Sequence, residues 1–257
     1  ELEVDAGRLG FIINTHCDLD HAGGNHGLKQ FAPHALLCCG DADRQQVEDP
    51  QAMYARRYDA YRRDHDIYYD GAARDWIIAS LGQAQPVDLT LRGGERLRLA
   101  PDWEIEILHL PGHSRGHLGV LDRKHRTLYA GDAIHGAQIP DLEGKPALGP
   151  TYLHVDQYLD TIRFIENLDL DWYVGCHWPI KRGEEIAAFC AENSRDFFPS
   201  LSSTMSMRSK APFFASNSRY VIRNWERLST ASGPGGGARR TLVTAFRVRT
   251  FVRYFAS

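Results

Sequence analysis

Between Ile13 and Gly24 the chain reads INTHCDLDHAGG, and His16, Asp18, Asp20 and His21 place four ligand-type side chains within six positions. Imidazole and carboxylate donors together suit Zn2+, Fe or Mn2+. Three more such residues stand far along the chain, each in a turn: His113 in LPGHSRGH, Asp132 in YAGDAI and His177 in VGCHWP. A single His or Asp of this kind is usually a solvated or hydrogen-bonded residue. Here each follows an expected strand, and neighbouring glycines permit close backbone turns. That combination points to one convergent metal centre. Two ions a few ångströms apart could share a hydroxide and stabilise the oxyanion of an attacked carbonyl or phosphoryl group, so hydrolysis is the natural reaction.

The elements that must position these residues follow from apolar patterning. Leu9 to Ile13 and Ala35 to Cys39 read as short buried strands, the first delivering its C-terminal end into the cluster. Met53, Tyr54, Tyr58 and Tyr61 give helical spacing from Pro50 to about His65, with a charged outer face. A loop around Tyr68 to Gly71 precedes a helical turn at Trp76 to Leu81. Leu89, Leu91, Leu97 and Leu99 flank Gly93 and Gly94 as a hairpin, followed by strands Glu104 to Leu110, Leu118 to Asp122 and Thr127 to Ala130, all in one sheet system. Val155 to Leu168 carries an amphipathic helical stripe. Asp171 to Cys176 is a strand ending at His177, and Gly183 to Phe197 is a helix with Glu184 and Glu185 near its positive end. This order argues for a mixed α/β layered domain.

At 257 residues, with 43% hydrophobic and 25% charged content, the chain can bury a sizeable core. No apolar run approaches the roughly 20 residues of a membrane span, and ELEVDAG lacks the features of a signal peptide, so a cytoplasmic location is the default expectation. Five cysteines without a CxxC pair suggest reduced thiols. The net charge of −3 hides an asymmetry: residues 198 to 257 hold ten Lys and Arg against one acid, Glu226. This marks a domain boundary near Phe197 to Ser203 and raises a nucleic-acid-binding role for the tail. Within the tail, Gly233 to Gly237 reads as a flexible linker.

The ordered set of motifs resembles the metallo-β-lactamase superfamily of hydrolases, over about residues 8 to 197. That family's pattern is H-x-H-x-D-H, a His in a PGH turn, an Asp in a GD turn and a late His. The resemblance implies an αββα sandwich with His16, Asp18 and His113 on one divalent ion, Asp20, His21 and His177 on a second, and Asp132 bridging. The two ions would be Zn2+, or Fe or Mn. Asp20 would also act catalytically, orienting the attacking hydroxide and helping a proton reach the leaving group. The expected substrate is a small ester, thioester, lactone or phosphoester.

Two departures from the family stand out. Asp18 replaces the second His of the pattern, which should make the first metal less Lewis-acidic and favour harder ions. Should Asp18 not ligate, one tight site remains. A carboxylate there also resembles the flavodiiron branch, so diiron redox chemistry is the rival within the enzyme class. A nucleic-acid-binding module acting through the basic tail is the rival outside it. Second, only about fifteen residues precede His16, so the expectation is a truncated chain, first strands supplied in permuted form by residues 241 to 255, or a tail that is not native sequence. A sheet edge left exposed in this way would favour a homo-oligomer. Among the remaining candidates, His117 is expected to orient a ligand by a hydrogen bond, and His109 to be a packed histidine. His135 would line the pocket, as Tyr152 and His154 could, while Cys17 and Cys176 read as small buried groups.

Overall fold

A computed structural model of the chain describes residues 5–66, 68–135, 139–140, 146–148 and 152–195. The basic tail, with its linker and expected strands, lies outside the described residues. No described helix is long and apolar enough to cross a membrane. Among the described residues the chain divides into two compact units, one holding residues up to Cys38 and Arg44–Leu89, the other holding Cys39–Asp43 and residues 90–195.

In the first unit, β1 (Phe11–Ile13) runs parallel to β2 (Leu36–Gly40), with Ile12 opposite Leu37. Asp88 joins the far side of β2: its backbone N–H donates to the Leu37 carbonyl and its carboxylate accepts from the Leu37 N–H, at 2.9 and 2.8 Å. Between β1 and β2 lie two short helices, α1 (Leu19–Ala22) and α2 (Asn25–Phe31). They were not expected, because four- and seven-residue helices carry too little apolar period to read. The first glycine after the ligand cluster has a packing reason. A Cβ on Gly23 would stand 2.7 Å from the Ser80 carbonyl oxygen, and one on Gly82, at φ +77°, would stand 2.1 Å from that of Gly23. Both positions must lack a side chain for α1 to approach the end of α6 (Gly71–Ser80).

The single helix expected over Pro50 to His65 is not one helix. After α3 (Arg44–Glu48), Asp49 caps α4 (Pro50–Met53) by accepting from the Gln51 N–H at 2.8 Å. A π-helical turn, Tyr54–Tyr58, follows, and the chain breaks before α5 (Arg62–His65). The π turn sets one extra residue into the helical path, so Arg57 and Tyr58 project differently from the 3.6-residue reading. Both point at the ligand cluster. Likewise, the helical turn expected at Trp76 to Leu81 is the second half of the ten-residue α6.

The second unit is built on a six-stranded sheet, in spatial order β11 (Lys181–Arg182), β10 (Trp172–Gly175), β7 (Thr127–Gly131), β6 (Leu118–Asp122), β5 (Trp103–His109) and β4 (Arg96–Ala100). Here the expected hairpin is corrected. β3 (Leu89–Leu91) pairs in the three-stranded sheet of β1 and β2, whereas β4 pairs with β5, so the two runs belong to different sheets. The glycines between them redirect the chain. Gly93 and Gly94 adopt φ of +97° and +93°, Glu95 accepts from the Arg92 and Gly93 N–H groups, and the Gly94 N–H donates to Ile107.

A short pair, β8 (Ile139–Pro140) and β9 (Pro146–Leu148), precedes the crossover helix α7 (Val155–Glu166). That crossover lets β10 lie parallel to β7, with Tyr173 beside Leu128. Tyr158, Ile162 and Ile165 of α7 are fully buried, as the stripe implied, and they pack with Tyr173 and with Phe189 of α8 (Glu184–Arg195) in one core.

Candidate metal centre

Each unit carries one cluster of the residues singled out from the sequence. In the first, β1 leads directly into it. The Asn14 N–H donates to Cys38, its side-chain amide donates to the His21 carbonyl at 3.2 Å, and its amide oxygen accepts from Asn25 at 2.6 Å. These bonds close the loop on itself. His16 is fully buried, its Nδ1 is 3.0 Å from the Thr15 hydroxyl, and its ring lies 4.0 Å from that of His21. His16 Nε2 is 3.6 Å from an Asp18 carboxylate oxygen, and His21 Nε2 is 3.4 Å from that of Asp20. Asp20 is the exposed member. The buried Cys17 thiol lies 3.6 Å from the Gln46 side-chain oxygen.

Asp18 occupies the N-cap of α1 but makes no side-chain cap. Its carboxylate instead forms a two-pronged ion pair with the buried Arg57, whose Nε donates to Oδ1 and whose Nη2 donates to Oδ2 at 2.8 Å. Burial works against the Arg57 charge, yet the adjoining Asp18 more than offsets it and holds the guanidinium pKa above its ordinary range. The Leu19 N–H, at the start of α1, donates to the Tyr58 hydroxyl at 3.0 Å. Burial first, and then the Asp18 and Asp20 charges, push the Tyr58 phenol well up, so it stays protonated. Arg57 and Tyr58 are therefore part of the cluster. Their sequence signal was a charged, aromatic helix face, which says nothing of a partner 39 residues away.

The second unit gathers His113, Asp132 and His177. His113 is held in a tight turn. Gly112, at φ +137°, could carry no Cβ without meeting the Tyr158 backbone at 2.5 Å, its carbonyl accepts from Leu153 and His154, and the Pro111 carbonyl accepts from Thr161 of α7 at 2.7 Å. Buried Asp43 fixes the rest of that turn, accepting from the Ser114 hydroxyl and, at 2.8 Å, from the Gly116 N–H. Asp43 was overlooked in the sequence, although it too follows a strand end. Asp132 is buried, its N–H donates to His117 Nε2 at 3.2 Å, and one carboxylate oxygen lies 3.0 Å from His177 Nε2. His117 thus orients the Asp132 turn, as expected. His109 is not a packed histidine: it is exposed, and its ring meets the Arg115 carbonyl at 2.8 Å.

His135 proves central rather than peripheral. It is 1% exposed, its ring lies 4.2 Å from that of His113, and its Nε2 stands 3.4 Å from the same Asp132 oxygen that faces His177. Neither ring nitrogen hydrogen-bonds to a described residue. Burial, followed by the neighbouring His113 and His177, pulls its pKa down to about 4, so the ring is neutral and can donate a lone pair. Tyr152 packs on Tyr158 at 3.9 Å between ring centres, with its phenol pushed by burial up to about 12, and His154 accepts from Arg115.

Both clusters have the chemistry of a divalent-metal site. Each is a set of imidazoles and carboxylates brought close together, and in the second the buried His135 nitrogens have no hydrogen bond among the described residues. The arrangement defines a class, the α/β proteins that gather His and Asp side chains beyond strand ends. The chain belongs to the metallo-beta-lactamase superfamily, which it matches over residues 1–177.

Among relatives, it is 27% identical over 180 residues to the human acyl-coenzyme A thioesterase MBLAC2, covering 66% of this chain and 55% of that protein. It is 24% identical over 182 residues to a hydroxyacylglutathione hydrolase of Synechococcus, covering 68% and 52%. The chain thus spans about half the length of these relatives. A metallo-beta-lactamase family protein of Thermus thermophilus shares the fold at a TM-score of 0.56 and 18% identity, over 77% of this chain and 64% of that one.

Proposed function

We propose that the chain is a metal-dependent hydrolase acting on a small thioester, with His16, Asp18, Asp20, His21, His113, Asp132 and His177 holding two divalent ions, Zn2+ or Fe or Mn. The observation that carries this reading is superfamily membership over the stretch containing all seven residues, joined to their gathering into one cluster in each unit. Bound ions would supply a Lewis acid for the acyl carbonyl and make water acidic enough to attack at neutral pH.

The protein's own residues supply the rest. The Asn14–Asn25 network and the Asp43 clamp fix the two ligand loops before substrate arrives, which keeps reorganisation cost low. Arg57 balances the Asp18 charge, so the donor set around the first ion carries one net negative charge fewer than the sequence implies. This offsets the loss of Lewis acidity expected from an aspartate at that position. Asp20, exposed on α1, can take the proton of the attacking water.

A thiolate leaves without strong protonation, because ordinary thiols ionise near pH 8.5. A site whose proton-transfer group is an exposed carboxylate therefore suits thioesters better than alkyl esters. The two named relatives favour the same class, since an acylglutathione, like an acyl-coenzyme A, is a thioester.

The test is a panel of acyl-coenzyme A and acylglutathione thioesters, a p-nitrophenyl ester, a lactone and a phosphodiester. The protein would be loaded in turn with Zn2+, Mn2+ and Fe2+, and free thiol followed for the thioesters. Thiol release that disappears on chelation supports the proposal. Turnover confined to the phosphodiester, or none with metal bound, counts against it.

A further inference from the structure

We propose that His135 is an additional metal ligand, a third imidazole joining His113 and His177 around Asp132. The inference rests on the metal-centre reading above and adds to it a residue that the motif pattern does not contain. Its basis lies wholly within the second unit. His135 Nε2 and His177 Nε2 stand 3.4 and 3.0 Å from one and the same Asp132 oxygen. Donors bound to a common Zn2+-type ion at 2.0–2.2 Å, with angles between square and tetrahedral, lie about 2.9–3.5 Å apart. Both spacings fall in that window.

The placement is built, not incidental. The His135 N–H donates to the Tyr158 hydroxyl at 3.1 Å, tying the residue to the buried face of α7. The Ala133 N–H donates to Ala130, so the segment from Asp132 to His135 is anchored at both ends. The ring is walled by Trp178 and Tyr152, at 5.1 and 5.9 Å between centres. An imidazole that merely packs in a core finds a hydrogen-bond partner, because each buried nitrogen left without one costs about 1–3 kcal/mol. His135 has two such nitrogens without a hydrogen bond to a described residue, and ligation removes that cost.

The experiment compares wild type, His135→Phe and His135→Cys. Metal content is measured by elemental analysis, affinity by chelator competition, and the coordination sphere by the visible spectrum of the cobalt-substituted protein. His135→Phe preserves ring shape and should weaken one ion by more than about 100-fold, beyond what losing a merely orienting residue costs. Its cobalt spectrum should also change. His135→Cys offers a thiolate in place of the imidazole and should show a sulfur-to-cobalt charge-transfer band that wild type lacks. Wild-type affinity and spectrum in His135→Phe, or no new band in folded, cobalt-loaded His135→Cys, overturns the assignment. Wild-type protein that takes up no metal overturns the metal-centre reading itself.

Discussion

Asp18 illustrates how a single side chain changes meaning when its partner is known. Read alone, an aspartate in place of a histidine adds a negative charge to a metal site. With Arg57 across from it, the charge is balanced inside the protein, and removing the partner becomes costly. Arg57→Ala should lower the stability of the metal-free protein by about 3–5 kcal/mol, because it leaves a carboxylate with little solvent access and no counter-charge. Urea unfolding of the single variants and of the Arg57→Ala/Asp18→Ala double variant checks this. The double variant should be less destabilised than the sum of the singles, and strict additivity would show that the pair is not coupled.

The buried thiols make a second case at this scale. Burial, aided by Asp88, pushes Cys38 up to about 11, and burial, aided by Glu166, pushes Cys190 up to about 12. An acid whose folded pKa is raised keeps its proton in the native state after the unfolded chain has lost it. Its contribution to stability is therefore complete below the ordinary thiol range near pH 9 and fades as pH climbs toward 11 or 12. Native protein at pH 8 should leave both residues unlabelled by a thiol-reactive dye while Cys176 reacts, as peptide mapping would show. Rapid native labelling of Cys38 would contradict the burial.

At the scale of elements, segments with a local apolar pattern could be read from sequence and those without one, or with an interrupted one, could not. The apolar runs of β1, β2, β5, β6 and β7 and the stripe of α7 are local patterns, and local patterns survive folding. The break at the π turn, the assignment of β3 and β4 to separate sheets and the two small helices after His16 are set by partners distant in sequence. The site divides in the same way. The seven ligand-type residues stand in recognisable sequence motifs, but Arg57, Asp43 and His135 gain their roles from contacts made only on folding, and Asp43 lies 71 residues from the serine it holds.

The PGH turn gives a prediction at this scale. Gly112→Ala must adopt a strained φ and press a methyl into the backbone of α7. It should therefore cost about 2–4 kcal/mol and shift His113. Paired thermal melts and metal titrations check it, with loss of metal affinity expected beyond the loss of stability. A variant melting like wild type would mean that α7 can move aside.

At the scale of the whole molecule, each unit carries its own cluster of ligand-type residues, so metal binding and folding should be linked. An ion at 100 to 1,000 times its dissociation constant stabilises the state that binds it by about 2.7–4.1 kcal/mol. For a domain of this size that corresponds to roughly 5–15 °C in melting temperature. Chelation should lower the melting temperature by that amount. It should also raise hydrogen exchange at two separated places together, the loop from Asn14 to Asp18 and the turn from Gly131 to His135. If all seven residues bind metal as proposed, Asp132→Ala should raise exchange in the loop from Asn14 to Asp18 as well as in its own turn. A response confined to the turn would show that metal, where bound, is held by the second unit alone, and the seven-ligand arrangement would have to be given up for a site built on His113, Asp132, His135 and His177.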